Sequence, residues 1–126
     1  MSWNSYTDNI VASQKLDQAA IYGIDGSSQW AVTGNLALSA AEIQSIVAGF
    51  ADPSTIQANG VHAQSEKYFC IKADSDSIYG KKGEDGIYAV KTKQAIIIGH
   101  SKAPIQAPAA AAVVEKMADY LRSVGY

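Results

Sequence analysis

The sequence predicts an α+β fold in which a central antiparallel β-sheet carries the terminal helices on one face and a further helix on the other. Three observations predict it. Helical periodicity appears at both ends of the sequence and once in between, whereas the remaining segments have strand character. The turns between consecutive strands are too short for parallel crossovers, which need about a dozen residues or more. The run at 95–98 is apolar on both faces, so we expect helices on both sides of the sheet.

The first helix is predicted over 2–14, with Ser2 as its N-cap. Its helical spacing is carried by Trp3, Tyr6, Ile10 and Gln14. Large aromatic side chains are unusual so near the end of a sequence, where residues are normally polar and frayed.

The second and third helices have clear start signals. Ser39 and Glu42 form a capping box, and the helix that they begin should stop at Asp52 because Pro53 disfavours helical backbone at the preceding residue. Pro108 lies just inside the third helix. The predicted apolar stripe of that helix consists of Val113, Val114, Met117, Leu121 and Val124.

Seven segments have strand character, and short turns separate most of them. Asp25 and Gly26 mark the hairpin turn between the first two strands. The predicted order is helix, two strands, helix, five strands, helix. The strands are expected at 19–23, 29–33, 60–64, 67–73, 77–79, 87–91 and 94–100.

Length and composition indicate one domain spanning 1–126. A chain of 126 residues with 48% hydrophobic and 17% charged residues is typical of a globular protein with its own core. No secretory signal is visible, and the apolar runs are too short for a transmembrane segment. The single cysteine, Cys70, excludes an internal disulfide and fits a reducing compartment, so a cytoplasmic location is expected.

Basic residues are concentrated in one part of the sequence. Seven of the ten lie between Lys67 and Lys102. This density suggests a basic surface for an acidic partner or anionic headgroups. Interleaved acids such as Asp74 and Asp76 argue against a nucleic-acid partner. Ordinary solvated strand faces explain the pattern about equally well.

No group of residues has the spacing of a catalytic, metal or cofactor site. His62 and His100 stand in predicted strands without a second ligand at metal-binding spacing. Cys70 has no adjacent base, so it is better explained as a small face residue. The segment 80–83 lacks the phosphate-loop pattern, and Asp74 and Asp76 are typical of turns. We therefore expect no enzyme activity, no metal and no cofactor.

The aromatic residues near both ends allow two interpretations. Trp3 and Tyr6 lie about 60° apart on one helical face, and Tyr120 lies at the edge of the last apolar stripe, where it should be half exposed. Together with Trp30 they either seal the core or line a groove. An aromatic groove suits a proline-rich ligand, whose polyproline II helix is preformed.

Several motifs resemble those of the profilins, most closely the fungal, amoebal and plant members. The resemblance extends over the whole length. It is carried by Met-Ser-Trp-Asn-Ser-Tyr-Thr-Asp-Asn at 1–9, Trp-Ala-Val-Thr at 30–33, Ser-Ile-Tyr-Gly-Lys-Lys-Gly at 77–83, Lys-Thr-Lys-Gln-Ala at 91–95 and Ala-Asp-Tyr-Leu at 118–121.

The resemblance implies a profilin-like fold and a monomeric, actin-monomer-binding adaptor that regulates actin polymerisation. The implied partners are monomeric actin, proline-rich segments of actin-nucleating or elongating proteins, and phosphoinositide headgroups at the membrane surface. The implied location is the cytoplasm, at the cytoskeleton and cell cortex.

The same resemblance implies three sets of site residues. The proline-rich-ligand groove would contain Trp3, Tyr6, Trp30, Tyr120, Leu121 and Tyr126. The actin-binding set would be Lys67, Lys72, Tyr79, Lys81, Lys91, Ile105, Gln106, Ala112 and Lys116. The phosphoinositide-binding set would be Lys72, Lys81 and Lys82.

Three departures from the family pattern lie in or beside the expected actin surface. Similar members read Arg-Ala-Asp-Asp-Arg before Ser-Ile-Tyr-Gly, whereas this chain has Lys72 and Asp76 at the two arginine positions. Lysine keeps the charge but loses bidentate geometry, and the acid reverses the charge. The start of the last helix is also poor in polar groups. An alternative therefore stays open, a proline-rich-peptide and phosphoinositide-binding module with weak or no actin binding.

Overall fold

The computed structural model describes residues 3–36, 38–103 and 105–126. Four helices and seven strands succeed one another in the described part of the chain. They are α1 (Trp3–Ala12), β1 (Gln18–Gly23), β2 (Gln29–Thr33), α2 (Ala40–Ala51), α3 (Pro53–Asn59), β3 (Val61–Ala63), β4 (Glu66–Ala73), β5 (Ser77–Lys82), β6 (Asp85–Lys91), β7 (Ala95–Ser101) and α4 (Ala107–Ser123).

The seven strands form one antiparallel sheet in the order β2-β1-β7-β6-β5-β4-β3. Five of the six neighbouring pairs are joined by a direct chain connection, and the exception is β1 beside β7. The interior strands β1 and β7 are almost completely buried, as expected for a sheet covered on both faces. The predicted α+β fold class is confirmed.

Each face of the sheet has its own apolar core. One core joins α2 and α3 to the sheet through residues such as Ile46, Phe50 and Ile56. The other joins α1 and α4 through residues such as Ile10 and Val114. The terminal helices therefore share one face, as predicted, and we call this face the terminal-helix face.

The terminal helices differ from the prediction at their ends. α1 ends at Ala12, and Gln14 adopts a positive φ of 65°, which is incompatible with a continuing helix. The predicted N-cap, Ser2, lies outside the described residues. Val124 lies beyond the end of α4 and is 47% exposed, so it does not belong to the apolar stripe. The buried side of α4 also contains small residues that the predicted stripe lacks, which are Ala110, Ala111 and Ala118.

The capping box at Ser39 and Glu42 is present, and α2 ends before Asp52 as predicted. The next helix, α3, is absent from the sequence prediction. The Asp52 side chain accepts a hydrogen bond from the Ser54 N–H, and Pro53 occupies the first turn of α3. The same proline that stops one helix is thus well placed to start the next, because the first helical turn needs no proline N–H.

Strands β5 and β6 are longer than the predicted 77–79 and 87–91, so only residues 83 and 84 lie between Lys82 and Asp85. Strand β4 contains an irregularity. Cys70 pairs with Gly80, but Lys72 pairs with Tyr79, so one extra residue, Ile71, is accommodated in β4 as a bulge. The bulge changes which side chains share a face.

Candidate functional site

Five aromatic rings meet at one edge of the terminal-helix face. The ring of Trp3 lies 4.8 Å from that of Trp30, 5.5 Å from that of Tyr6 and 5.0 Å from that of Tyr126. Tyr6 in turn lies 5.9 Å from Tyr120. These centroid separations are typical of interacting aromatic pairs. We call this continuous group of five rings the aromatic platform.

The platform is accessible to a ligand. Tyr120 is 46% exposed and Tyr126 is 41% exposed, while Trp3, Tyr6 and Trp30 are half-buried. The predicted half exposure of Tyr120 is confirmed. Such rings combine apolar faces with phenol or indole donors at the surface, which is what recognition of a proline-rich chain requires.

Leu121, the sixth residue predicted for this site, is completely buried. It lies in the core beneath the platform with Ala118 and Val114, so it supports the rings without reaching the surface. The pKa of the Tyr6 phenol is raised by desolvation and further by the neighbouring Tyr120 and Tyr126 phenols.

Polar contacts fix α1 on the sheet, and with it Trp3 and Tyr6. The Asn4 side-chain amide donates to the Val32 carbonyl of β2 over 3.1 Å. The Thr33 hydroxyl lies 2.7 Å from the hydroxyl of Thr7, which is fully buried, and 2.6 Å from an Asp8 carboxylate oxygen. The helix is held next to the strand that carries Trp30.

The other end of the platform is fixed by the β6–β7 turn. The Thr92 hydroxyl lies 2.7 Å from the main-chain oxygen of Tyr126, which also accepts from the Gln94 backbone N–H. The Gln94 side-chain amide donates to the Gly125 carbonyl over 3.1 Å. The Arg122 guanidinium donates to the Lys91 carbonyl over 2.6 Å. The sequence prediction missed these anchors, because hydrogen bonds to main-chain oxygens leave no pattern in the sequence.

A second surface lies on the outer part of the terminal-helix face, where β4 and β5 extend beyond α4. Lys67 and Lys72 are five positions apart and would face opposite sides on a regular strand. The bulge at Ile71 removes this difference, so Lys72 pairs with Tyr79 on the face that Lys67 occupies. Phe69 pairs with Lys81 on this face too. We call this group the basic strand face, and it consists of Lys67, Phe69, Lys72, Tyr79 and Lys81.

Cations and rings alternate on the basic strand face. The Lys72 ammonium lies 5.0 Å from the centroid of the Tyr79 ring, and the Lys67 ammonium lies 5.8 Å from that of Phe69. The Tyr79 hydroxyl donates to the Glu115 carboxylate, which also accepts from Ser77 over 2.9 Å. Desolvation, together with the hydrogen bond to Glu115 and its charge, raises the pKa of Tyr79. This contact couples α4 to β5.

The start of α4 adjoins the basic strand face. Ile105 and Gln106 line a cavity of about 260 Å³ together with Lys81, so these three predicted actin-binding residues are brought together. Ala112 is exposed on α4, one turn before the Glu115 that contacts Tyr79.

Two predicted actin-binding lysines lie elsewhere. The Lys91 ammonium is 5.8 Å from the centroid of the Phe50 ring, which belongs to the core on the opposite face of the sheet. Strand alternation explains this, because Lys91 shares its face with Ile87 and Ala89. Lys116 lines a cleft between α1 and α4.

The predicted phosphoinositide set is also divided. Lys72 and Lys81 share the basic strand face, whereas Lys82 points to the other side and its ammonium lies 2.8 Å from the Glu66 carboxylate. Lys72 is loosely paired with Asp74, at 3.8 Å. The Asp74 carboxylate accepts from the backbone N–H groups of Asp76 and Ser77, which lowers its pKa and gives it the predicted turn role.

The sequence prediction missed two exposed apolar residues of β4, which are Phe69 on the basic strand face and Ile71 at the bulge. Phe69 is 70% exposed and Ile71 is 53% exposed, although large apolar side chains at such levels of exposure are few in the described chain. The signal was present as lysine and apolar residues at alternate positions from Lys67 to Ile71. Exposed aromatic side chains are enriched at protein interfaces, and the lysines around Phe69 can steer an acidic partner towards it.

The described residues offer little for other chemistry. Within 3–36, 38–103 and 105–126, no three His, Cys, Asp or Glu side chains are grouped so as to hold a metal ion. In the same ranges, no helix combines the length and apolar character needed to cross a membrane.

A sheet covered by terminal helices, with an aromatic platform at one edge and a basic strand face at another, defines a small binding protein with two separate surfaces. Comparison with known proteins identifies its family. The profilin family model matches residues 1–126. The profilin of Saccharomyces cerevisiae is 44% identical over 126 residues, covering all of both chains.

Solved structures agree. The crystal structure of Acanthamoeba castellanii profilin II is 43% identical, covers 99% of this chain and 100% of its own, and has a TM-score of 0.94. A structure of mouse profilin IIa in complex with a double repeat from the FH1 domain of mDia1 has a TM-score of 0.82 at 23% identity, which shows a shared fold.

The chain belongs to the profilin family. Profilins are a non-enzymatic family of cytoskeletal, actin-binding proteins. Family membership therefore makes this protein an actin-binding regulator.

Proposed function

We propose that this protein links two ligands, with a proline-rich segment on the aromatic platform and an actin monomer on the basic strand face. The observation that carries the proposal is the platform itself. Five rings from separate parts of the chain form one continuous, partly exposed group. A core seal would not need Tyr120 and Tyr126 to remain as exposed as 46% and 41%. The mouse profilin IIa complex with an FH1 repeat is consistent with a peptide ligand.

The proposed actin surface comprises the basic strand face and the adjoining start of α4. Its lysines can attract an acidic partner, while Phe69 and Tyr79 provide apolar area that becomes buried on binding. Ile105, Gln106 and Ala112 extend this surface along the helix. Lys91 does not belong to it, because its side chain faces α2.

We infer that the same lysines also bind a second ligand. Lys72 and Lys81 share one face and can contact the phosphates of a phosphoinositide headgroup. Lys82 is held by Glu66 on the other side, so its part in this binding requires that ion pair to open. A shared lysine set implies that actin and phosphoinositide compete.

The proposed mechanism involves no covalent step and no cofactor. The protein acts as one domain over 1–126 and as a monomer, so that each copy presents one platform and one basic strand face. Its proposed place in the cell is the cytoplasm and the cortex, where proline-rich partners deliver actin to growing filaments.

A single experiment tests the link between the two ligands. A fluorescent proline decamer is sedimented with the protein alone and with the protein plus an excess of monomeric actin. We expect the peptide to move with the heavier complex when actin is present, because the platform and basic strand face do not overlap. Peptide that binds the protein alone but is released by actin would contradict simultaneous binding. Failure of actin to bind would favour the alternative of a peptide and headgroup module.

A further inference from the structure

An open cleft lies between α1 and α4, directly beside the aromatic platform. Its volume is about 540 Å³, within the range of about 300–1,000 Å³ typical of small-ligand sites. Ile10, Val113 and Met117 provide apolar lining. Tyr6 and Tyr120 belong both to the platform and to the wall of the cleft. A chain lying on the platform can therefore continue into the cleft without leaving the protein surface.

The rim of the cleft is polar and carries one kind of charge. Asn9 and Ser13 lie near the end of α1 and are uncharged, and Lys116 on α4 is the one ionised side chain among the described lining residues. No carboxylate in the described part of the chain lies within 4 Å of the Lys116 ammonium. The cleft thus combines an apolar floor with a cation that has no counter-charge from the described residues.

We propose that this cleft is a second recognition site, occupied by the residues that flank the proline run of the same ligand. The flanking segment would place an aliphatic side chain over Ile10, Val113 and Met117 and an acidic side chain opposite Lys116. This inference rests on the proposed function, because it needs a proline-rich segment on the platform.

The chemistry of a proline run explains why the ligand needs such a site. Proline has no backbone N–H and no charge, so the platform must treat every proline run alike. Its polyproline II helix is extended, at about 3.1 Å per residue, so a few flanking residues are enough to pass the Tyr6 and Tyr120 rings. Only the flanking residues can contact the apolar floor of the cleft and the Lys116 ammonium. The cleft would therefore select among proline-rich partners.

The proposal also gives Lys116 a role different from the actin contact that the family resemblance implies. Lys72, by contrast, lies on the basic strand face. Lys116 lines the cleft on the side of α4 that faces α1. A charge reversal at Lys116 can therefore show whether this lysine contacts actin or the residues that flank the proline run.

The test uses proline decamers with Leu-Glu, Leu-Lys or Gly-Gly added at either end, and the plain decamer as reference. Binding to the full-length protein is measured by tryptophan fluorescence. Each affinity is divided by that of the same protein for the plain decamer, so that changes in the platform cancel. The variants are Lys116→Glu, Met117→Ala and, as a matched control on an exposed lysine away from the cleft, Lys102→Gln.

For the unaltered protein, we expect Leu-Glu at one end to improve binding about fivefold over Gly-Gly, from apolar contact and one ion pair. In Lys116→Glu, the peptide with Leu-Lys should bind better than the one with Leu-Glu. In Met117→Ala, both leucine-containing peptides should lose part of their advantage over Gly-Gly. Lys102→Gln should show the same affinity ratios as the unaltered protein. Equal affinity for all flanked peptides at both ends, with the plain decamer still bound, would overturn the cleft alone. Loss of binding to the plain decamer would overturn the platform and the cleft together. If Lys116→Glu weakens actin binding and leaves the peptide ratios unchanged, Lys116 belongs to the actin surface and the inference fails.

Discussion

The indole ring of Trp3 and the phenol ring of Tyr126 meet edge to face, with centroids 5.0 Å apart and planes at 88°. Residues near opposite ends of the sequence are thus joined in one contact. Neither ring can keep this geometry if the other segment detaches, so the ligand surface depends on the docking of both terminal segments. This dependence makes the platform sensitive to changes that lie outside it.

The first prediction concerns the centre of the platform. Trp3 contacts three of the other four rings, so Trp3→Ala should weaken binding of a proline decamer about 30-fold, since central aromatic anchors contribute about 2 kcal/mol or more. Isothermal titration calorimetry measures the loss. Circular dichroism must show that the variant is folded, and unchanged affinity in a folded variant would rule out the platform as the binding site.

The second prediction concerns the anchor at Thr92. Because its hydroxyl is one of the groups that hold the main-chain oxygen of Tyr126, Thr92→Val should loosen the Tyr126 ring and weaken decamer binding about three- to tenfold. The same substitution in a protein lacking Tyr126 should have no further effect on affinity. Peptide titrations of the native protein, Thr92→Val, the protein lacking Tyr126 and the protein with both changes form a double-mutant cycle. Additive losses in that cycle would show that Thr92 acts through general stability instead of through Tyr126.

The third prediction compares two lysines on opposite faces of the sheet. Lys72→Glu should weaken actin binding about tenfold, because it places an acid on the basic strand face, whereas Lys91→Glu should have little effect on that surface. Asp76→Arg should strengthen actin binding, because it replaces an acid with a cation between β4 and β5. Sedimentation with monomeric actin at low and moderate salt gives the affinities, and binding to the native protein should fall as salt rises. A larger loss from Lys91→Glu than from Lys72→Glu would show that the proposed actin face is wrong.

The fourth prediction concerns Glu42, whose carboxylate closes the β3–β4 turn. It accepts from the backbone N–H groups of Ser39, Gln64 and Ser65, at 2.9, 3.0 and 2.6 Å. Desolvation acts to raise its pKa, but these hydrogen bonds outweigh it and lower the pKa overall. Glu42→Gln should reduce the free energy of unfolding by about 2 kcal/mol at neutral pH.

The sign of the pH dependence comes from the lowered pKa. Glu42 stabilises the fold while it is ionised, above its unfolded pKa, and this contribution is lost as the pH falls through the folded value. Urea unfolding at pH 7 and at pH 3 should therefore show a large difference between the native protein and Glu42→Gln at pH 7 and a small one at pH 3. An equal difference at both values would mean that the carboxylate charge is unimportant.

Much of the fold could be predicted because its signals are local. The capping box at Ser39, the hairpin at Asp25 and Gly26, and the alternation in the strands each act over a few residues. The helix α3 was missed because its seven residues are too few to show a periodic stripe, and Pro53 was interpreted only as a stop signal. The small residues of the α4 stripe, such as Ala118, were missed because they carry a weak hydrophobic signal.

The candidate site could be predicted as residue types but not as surfaces. The five aromatic residues were identified, yet their convergence depends on contacts between distant segments that spacing does not encode. For Lys67 and Lys72, strand alternation predicted opposite faces unless a bulge intervened, and the structure contains that bulge. No sequence rule located it. Lys91, Lys82 and Lys116 were grouped with the other lysines by family resemblance. The structure has Lys91 and Lys82 on the opposite face of the sheet, and Lys116 in the cleft between α1 and α4.

The extra residue in β4 also affects how one copy of the protein meets another. β3 pairs only with the first part of β4, so the outer edge of the strand beyond Tyr68 has no neighbouring strand in the described chain. Such an edge can add a strand from a second copy and begin aggregation. The bulge at Ile71 breaks its regular spacing, and α3 lies against it, with the Gln57 amide donating to the Ala73 carbonyl over 3.3 Å. The bulge and the covering helix are two of the features by which proteins protect a free strand edge from pairing with a second copy.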